Sequence, residues 1–216
     1  FKHQKRDDLL VANGDDKNVR QSVKSARGRV IYLKQNDFAK NAARAIGKYF
    51  NVPRAKIGKA IKNFKGLSGR LEEIRGLNGV IFINDTTATN PGAAIYGIRA
   101  TREKYPGKKL VVIAAGYDKN LAVGELVEAL GKHADYVILL PGTATNKILK
   151  RSGGRKEWIV SKDISEAVRD SYRLAMSIKG SYGAVVLLSP GAASFGLFQH
   201  EFDRGDKFNA AVNGLE

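Results

Sequence analysis

The stretch Gly79–Pro91, GVIFINDTTATNP, joins a short apolar run to a polar loop that ends in a proline. Val80–Ile83 is rich in β-branched residues, which is typical of a strand buried on both faces. Pro91 is favoured in the first turn of a helix because its missing N–H is not needed there. The stretch therefore predicts a buried strand, a polar loop and the start of a helix.

The same alternation recurs along the rest of the chain. Apolar runs predict strands at Val80–Ile83, Leu110–Ala114, Tyr136–Leu140, Trp158–Val160 and Ala184–Leu188. Helical candidates follow them, at Ala93–Lys104, Gly124–Lys132, Thr145–Lys150, Ile164–Ile178 and Phe195–Val212. Continuous apolar strands separated by helices indicate an α/β domain with a doubly wound, mostly parallel, Rossmann-like sheet that is covered on both faces.

The segment before this domain has a different organisation. Two apolar runs, Leu9–Ala12 and Val30–Leu33, flank a helix-like stretch. Two more helical stretches follow, at Phe38–Phe50 and Ile57–Phe64. This order resembles the end of an α/β domain rather than its beginning. Gly66 and Gly69 punctuate the chain, so we place a domain boundary close to Leu67, between residues 1–66 and 67–216.

Composition excludes several classes of protein. The chain has 216 residues and 43% hydrophobic content, enough for one large domain or one ordinary domain with part of another. It has no cysteine, so it offers no disulfide framework and no thiolate metal site, which fits a reducing cytoplasm. No apolar run approaches the roughly 20 residues that cross a bilayer, and the first residues lack a signal-peptide pattern. We expect a soluble, cytoplasmic protein without a membrane partner.

The formal net charge of +16 predicts attraction to anions. Charge alone does not choose between nucleic acid and phosphorylated small molecules, so a non-enzymatic anion- or nucleic-acid-binding α/β module is the competing interpretation. The lysines and arginines are spread through the chain with little aromatic interleaving, which is typical of solvated helix and loop faces. We therefore expect no specific nucleic-acid partner.

Three loops follow predicted strands at the edge where α/β sheets bind ligands. Asn84–Pro91 is a cluster of short polar side chains, which would also serve as a turn and helix cap. In the next loop, Lys119 follows Gly116 and could contact a carboxylate or phosphate as a flexible point charge, or simply face water. In the third, Ser194 is expected at a helix start, where it would meet an anion or serve only as an N-cap.

Four segments resemble, in order, the C-terminal domain of the D-glutamate-adding Mur ligases. They are GLSGRLE at 66–72, GVIFINDTTATNP at 79–91, the loop at 116–119 and LLSPGAASFGLFQHEFDRGDKF at 187–208. The earlier VANGDD and the helix within 36–53 resemble the end of that family's central domain. Other Mur ligases and folylpolyglutamate synthetases share the fold, but we would not expect them to combine NDTTATN with SPGAASF.

The resemblance implies an ATP-dependent ligase that adds D-glutamate to UDP-N-acetylmuramoyl-L-alanine in peptidoglycan biosynthesis. Such an enzyme uses ATP and Mg²⁺ to form an acyl-phosphate, which the amine of D-glutamate attacks. By resemblance, Arg70 lies near the ATP phosphates and Asp85 holds the ribose. The D-glutamate contacts correspond to Thr89, Lys119, Ser194 and Phe195. Two positions depart from the family pattern: Thr87 replaces a frequent lysine, and Phe202 lies one position from an expected aromatic contact.

No phosphate loop of the form GxxxxGK[ST] occurs in the sequence. By resemblance, the main ATP cradle and the magnesium site therefore lie outside these 216 residues, and we predict no catalytic residue within them. We expect the chain by itself to be a folded monomer that binds D-glutamate or ATP weakly and turns over no substrate. His3, His133 and His200 fall outside the three loops and are expected on the surface.

Overall fold

A computed structural model describes residues 3–34, 37–153, 158–177 and 183–216. The chain divides into two compact units, Phe1–Lys65 and Gly66–Glu216, here called the first and second unit. No helix within the described ranges is long and apolar enough to span a bilayer.

The described part of the first unit contains a parallel strand pair and three helices. Strands β1 (Leu9–Asn13) and β2 (Arg29–Leu33) are joined through α1 (Lys17–Val23). Asp16 caps α1, since its carboxylate accepts hydrogen bonds from the backbone N–H groups of Asn18 and Val19. Helices α2 (Phe38–Tyr49) and α3 (Arg54–Asn63) follow and have no buried residue.

The second unit is built on a six-stranded sheet. Its strands are β3 (Glu72–Leu77), β4 (Val80–Asn84), β5 (Lys109–Ala114), β6 (Tyr136–Leu139), β7 (Trp158–Val160) and β8 (Ala184–Leu188). Their order is β3-β4-β8-β5-β6-β7, and every neighbouring pair is parallel except β3 with β4. The mostly parallel sheet that the apolar runs predicted is therefore present.

Helices cover both faces of this sheet. They are α4 (Pro91–Lys104), α5 (Gly124–His133), α6 (Thr143–Ser152), α7 (Ile164–Ser177) and α8 (Glu201–Asn213). Alternate residues of β5 face opposite sides: Leu110 and Val112 pack with α4 and α5, whereas Val111 and Ile113 pack with α7 and α8. This two-sided burial explains why the central strands are apolar throughout rather than alternating.

Strand β3 was not predicted from the sequence. Its residues EEIRGL are mostly half-buried, because the strand lies at the sheet edge, and they lack a continuous apolar run. An Asn78–Gly79 turn with φ of 49° and 80° connects it to β4, as in the tight hairpins that favour Asn-Gly.

The predicted helix Phe195–Val212 begins six residues later than expected, at Glu201. Gly196 has a φ of 87°, which is outside the helical region and interrupts the segment. His200 is the N-cap, and its Nδ1 accepts a 3.1 Å hydrogen bond from the amide of Asp203. The predicted helix Ile164–Ile178 corresponds to α7, with Ile178 outside the described residues.

Candidate functional site

The carboxyl ends of β4, β8 and β5 lie side by side at one edge of the sheet. Leu188 of β8 pairs with Asn84 on one side and with Ile113 on the other. Beyond the strands, the amide of Asp85 donates to the Leu188 carbonyl at 2.8 Å, and the amide of Ser189 donates to the Ile113 carbonyl at 3.0 Å. The three loops that we singled out therefore meet at the ligand-binding edge of an α/β sheet.

Hydrogen bonds also join these loops to one another. The amide of Gly191 donates to the Ala88 carbonyl at 2.8 Å, which links the loop after β8 to the loop after β4. Tyr117 and Ala193 exchange two backbone hydrogen bonds, of 3.0 and 3.1 Å, which link the loop after β5 to the loop after β8. The loop after β8 is thus held between the other two.

A pocket of about 230 Å³ lies beside the loop after β4, and we call it the Asp85 pocket. It brings together Arg70 and Asp85, the two residues assigned to the nucleotide by resemblance. Its lining residues are Arg70, Leu71, Asp85, Thr87, Ala88, Ala93 and Tyr96.

Asp85 is the buried acidic group of this pocket. Its side chain accepts hydrogen bonds from the Ser189 hydroxyl at 2.8 Å and from the Leu71 amide at 3.3 Å. Burial raises the pKa of Asp85 to about 6, and these bonds together with Arg70 oppose the rise. Gly97 makes room for the carboxylate, since a β-carbon there would lie 2.5 Å from Oδ2. The carboxylate is thus a nearly buried hydrogen-bond acceptor in the wall of the pocket.

A second, much smaller cleft of about 10 Å³ lies between the loops after β4, β5 and β8, and we call it the Lys119 cleft. Thr89 and Lys119, two residues assigned to D-glutamate by resemblance, both line it. The full lining is Thr89, Pro91, Tyr117, Asp118, Lys119, Leu121, Val123, Ala144, Gly191, Ala192 and Ala193.

Lys119 is exposed, and its ammonium makes no ion pair within the described ranges. The Nζ atom lies 5.7 Å from the centroid of the Phe195 ring, which favours a cation over its face. Tyr117 packs edge-on against Phe195, with ring centroids 5.9 Å apart. Two exposed aromatic rings therefore flank a lysine that is available to an anion.

Neighbouring Asp118 is already committed to another lysine. Its carboxylate forms a 3.0 Å ion pair with Lys147, and the hydrogen bond to Lys147 is the main reason that the pKa of Asp118 is lowered. The amide of Asp118 donates to the Thr143 hydroxyl at 2.9 Å. These bonds hold the loop, and they leave Lys119 without a carboxylate partner among the residues that the structure describes.

Two glycines allow the loop after β5 to approach its neighbours. Gly116 has a φ of 134°, and a β-carbon there would lie 2.7 Å from the Ala193 carbonyl oxygen. A β-carbon at Gly142 would lie only 2.1 Å from the Gly116 carbonyl oxygen. Neither contact tolerates a side chain, so glycine is required at both positions.

The expectation that Ser194 starts a helix is wrong. Ser194 is followed by a single turn, in which the Phe198 amide donates to the Ser194 carbonyl at 3.1 Å, and α8 begins at Glu201. The proposed support from a helix dipole therefore does not apply to Ser194. Ser194 is 4% exposed, and its hydroxyl has no hydrogen bond among the described residues. It follows Ala193, which lines the Lys119 cleft, but is not itself a lining residue.

The two positions that depart from the family pattern have clear structural surroundings. Thr87 lines the Asp85 pocket, and its hydroxyl donates to the Gly69 carbonyl at 2.9 Å, so its role in the fold is a loop contact. Phe202 is 53% exposed, packs edge-on against His200 and is not among the lining residues of either cavity. None of the three histidines lines these cavities.

Sequence reasoning missed the polar residues beneath the loops. Arg204 of α8 is fully buried and donates hydrogen bonds to Thr86 and Ala192. Asn84 donates to the Gly205 carbonyl at 3.2 Å and to Asn209 at 2.8 Å. The glycine after Arg204 was the available indication, since glycine inside a helix often marks a close approach.

Comparison with known proteins adds a family match. The family model described as Mur ligase, glutamate ligase domain, matches residues 69–191. The UDP-N-acetylmuramoylalanine--D-glutamate ligase of Roseiflexus sp. is 36% identical over 176 residues, covering 81% of this chain and 36% of that protein. The ligase of the same name from Acetivibrio thermocellus is 29% identical over 261 residues, covering 100% of this chain and 54% of that protein. The chain spans only about a third to a half of the length of these relatives.

Solved structures share the fold at low sequence identity. UDP-N-acetylmuramoylalanyl-D-glutamyl-2,6-diaminopimelate--D-alanyl-D-alanyl ligase from Acinetobacter baumannii has a TM-score of 0.69 at 14% identity and covers 99% of this chain and 53% of its own. MurF ligase from Thermotoga maritima, solved in complex with ADP, has a TM-score of 0.67 at 19% identity and covers 98% of this chain and 55% of its own. The expected α/β fold class is confirmed.

Proposed function

The chain belongs to the Mur ligase family, and from this premise we propose that it supplies the D-glutamate site of a UDP-N-acetylmuramoylalanine--D-glutamate ligase. The two similar ligases carry that name, and the fold and the resemblance support the same activity. In this proposal the second unit is the family's C-terminal domain, and the first unit is the end of its central domain. The enzyme would act in peptidoglycan biosynthesis, and thereby in cell shape and division.

The observation that carries the proposal is the available lysine beside a small cleft that is flanked by aromatic rings. D-glutamate has two carboxylates, and an unpaired ammonium attracts one of them as a point charge. Lys119 has no ion-pair partner in the described part of the chain, whereas nearby Lys147 is occupied by Asp118. We assign Lys119 to a carboxylate of D-glutamate, with Thr89 and Ser194 as hydroxyl donors and Phe195 as the flanking surface.

The volume of the Lys119 cleft limits how the amino acid sits. A cleft of about 10 Å³ holds less than one side chain, so D-glutamate would lie across its rim rather than inside it. Tyr117 lines the cleft, and its exposed ring packs against the exposed ring of Phe195. Movement of these exposed side chains would then determine how closely the ligand is enclosed.

The Asp85 pocket would take the nucleotide at its ribose and phosphates. A buried carboxylate that is fixed by Ser189 and Leu71 is suited to accept hydrogen bonds from ribose hydroxyls. Arg70 is exposed at the rim of this pocket, where its guanidinium could contact phosphate. The two cavities lie on adjacent loops. Ala88 lines the Asp85 pocket, Gly191 lines the Lys119 cleft, and the Ala88 carbonyl accepts a hydrogen bond from the Gly191 amide.

In the proposed reaction, ATP phosphorylates the muramoyl-alanine carboxylate, and the D-glutamate nitrogen then forms the amide bond as inorganic phosphate leaves. The residues of this chain would hold the attacking amino acid and one side of the nucleotide, which is a contribution of positioning. The described residues contain no cluster of three His, Cys, Asp or Glu side chains that could hold a metal ion. We assign no magnesium ligand to these residues.

The competing nucleic-acid proposal has less support from the structure. Much of the net positive charge lies in the first unit, where the segment 38–63 contains lysines and arginines but no acidic residue. The cavities at the sheet edge of the second unit combine Lys119 and Arg70 with Asp85 and Asp118, which is a mixed-charge surface. For the ligase we propose a cytoplasmic location and a monomeric state.

Lys119→Ala tests the proposal in steady-state kinetics of the ligase that contains this sequence. Loss of the ammonium should raise KM for D-glutamate about ten-fold or more and leave KM for ATP nearly unchanged, because only the amino-acid contact is removed. Lys132→Ala is the matched control, since Lys132 is an exposed lysine in the last turn of α5 and lines neither cavity. Equal increases in the two Michaelis constants would contradict the assignment.

A further inference from the structure

Arg204 is a fully buried arginine whose hydrogen-bond acceptors are all neutral. Its Nε donates to the Thr86 hydroxyl at 3.1 Å, one terminal nitrogen donates to the Thr86 carbonyl at 2.8 Å, and the other donates to the Ala192 carbonyl at 3.2 Å. No ion pair involves Arg204 in the described part of the chain. Burial lowers the pKa of Arg204 to about 10, so the group stays charged at neutral pH.

The two residues that Arg204 contacts belong to different loops. Thr86 follows Asp85 directly and lies in the loop after β4, which lines the Asp85 pocket. Ala192 lies in the loop after β8 and lines the Lys119 cleft. One planar guanidinium therefore spans the loops of both cavities.

Other contacts of α8 hold the guanidinium in this place. The Thr86 hydroxyl accepts from Arg204 and donates to the Glu201 carbonyl at 2.7 Å. Gly205 lets the helix approach, since a β-carbon there would lie 2.7 Å from Cγ2 of Thr86. The start of α8 is thus fitted against the loop after β4.

A contribution to folding stability alone does not account for this arrangement. Burying a cation among neutral acceptors costs desolvation energy, and an apolar side chain of similar volume often stabilises a protein as much or more. What an apolar residue cannot supply is a rigid fork that fixes two carbonyl groups at once. The geometry therefore indicates that the relative position of the two loops is what Arg204 maintains.

We propose that Arg204 is a positioning residue that ties the loop after β4 to the loop after β8, so that the two cavities keep one fixed geometry. The names of the ligands in these cavities rest on the proposed function. The fixed conformation of the two loops does not rest on that function, and it can be measured without either ligand.

Arg75 provides a matched control. It binds the end of α8 and the residues just after it, through hydrogen bonds from one terminal nitrogen to the carbonyls of Val212, Asn213 and Leu215. It does so from β3 at the other end of the helix and lines neither cavity. Arg75→Met should lower stability without disturbing the loops.

The test is hydrogen exchange of the 216-residue chain, read at three amides that make the loop contacts, those of Thr87, Gly191 and Ala193. Relative to amides of β5, all three should exchange about ten-fold or more faster in Arg204→Met, since the loops open locally. Arg204→Lys should not restore protection, because one ammonium cannot bind two loops as a fork does. Arg75→Met should leave the three amides as they are. Unchanged protection in Arg204→Met, or equal loosening in Arg75→Met, would overturn the proposal.

Thr86→Val is the second variant if Arg204→Met does not fold. It keeps the side-chain shape and removes the hydroxyl that accepts from Arg204 Nε and donates to the Glu201 carbonyl, while the two carbonyl contacts of the guanidinium remain. The guanidinium is then held less firmly, so the amides of Gly191 and Ala193 in the other loop should exchange faster, but less so than in Arg204→Met. Full protection in the folded valine variant would contradict the proposal. In the ligase, loss of the link should raise KM for both D-glutamate and ATP, unlike Lys119→Ala. If the unmodified ligase does not use D-glutamate as a substrate, the proposed function fails, but the hydrogen-exchange result still tests the role of Arg204.

Discussion

The hydroxyl of Ser189 donates a 2.8 Å hydrogen bond to Oδ2 of Asp85, and both side chains are buried. The bond joins the end of β8 to the end of β4, so the acidic group of the Asp85 pocket is fixed from the neighbouring strand. Burial nevertheless dominates and raises the pKa of Asp85 to about 6. The proton on this carboxyl therefore affects both stability and ligand binding.

Asp85→Asn should change how stability depends on pH. The folded chain holds the Asp85 proton more tightly than the unfolded chain, where the pKa is near 3.8. This contribution to stability is full below about pH 4 and is lost as the pH rises through 6, by about 3 kcal/mol. The asparagine variant does not ionise, so its advantage in Tm should grow from about pH 4 to about pH 7.5 in thermal unfolding.

Asp118→Asn is the control of opposite sign. The pKa of Asp118 is lowered by its hydrogen bond with Lys147, so its stabilising contribution is present at neutral pH and disappears as the pH falls. The asparagine variant at position 118 should lose Tm at neutral pH. A change in Tm at Asp85→Asn that is the same at every pH would show that its carboxyl does not titrate as described.

Gly142→Ala should destabilise the second unit strongly. The new β-carbon would lie 2.1 Å from the Gly116 carbonyl oxygen, and the φ of 150° is one that other residues rarely adopt. We expect a loss of about 3 kcal/mol or more in denaturant unfolding. Gly79→Ala also has a positive φ but no described atom within 4 Å of its β-carbon, so it should cost only about 1 kcal/mol. Similar losses in the two variants would contradict the steric explanation.

The central strands could be predicted because they are buried on both faces. Leu110 to Ala114 and Ala184 to Leu188 are each nearly inaccessible, and such strands are uninterrupted apolar runs in any sequence. Strand β3 lies at the edge of the sheet, where its residues are only partly buried, and it lacks such a run. The Asn78–Gly79 pair, which is typical of a tight hairpin, is the sequence signal that indicates β3.

The candidate site was only partly predictable, for a reason of geometry. The parallel order places all strand ends at one edge, so Asp85, Lys119 and Ser194 could be expected there from the chain order alone. The start of α8 depends on the left-handed conformation at Gly196, which the sequence allows but does not require. Arg204 was missed because a charged residue within a helix normally faces water.

Ser194→Ala and Ser189→Ala should separate binding from stability. The Ser194 hydroxyl has no hydrogen bond to another described residue, so its removal should change stability by less than about 0.5 kcal/mol yet weaken D-glutamate binding. Removing the Ser189 hydroxyl deprives Asp85 of a donor, so it should disturb the Asp85 pocket and leave KM for D-glutamate nearly unchanged. The measurements are Tm and the two Michaelis constants, and a reversed pattern would refute the assignment of Ser194.

The most direct test of the central claim is an NMR titration of the 216-residue chain with D-glutamate and, separately, with ATP. We predict that D-glutamate shifts the amide resonances of Thr89, Lys119, Ser194 and Phe195, and that ATP shifts those of Arg70 and Asp85. Weak binding suffices, because chemical-shift changes report sites of millimolar affinity. Lys119→Ala should abolish the D-glutamate response and keep the ATP response. No D-glutamate shifts at the Lys119 cleft, or the same shifts from both ligands, would contradict the account.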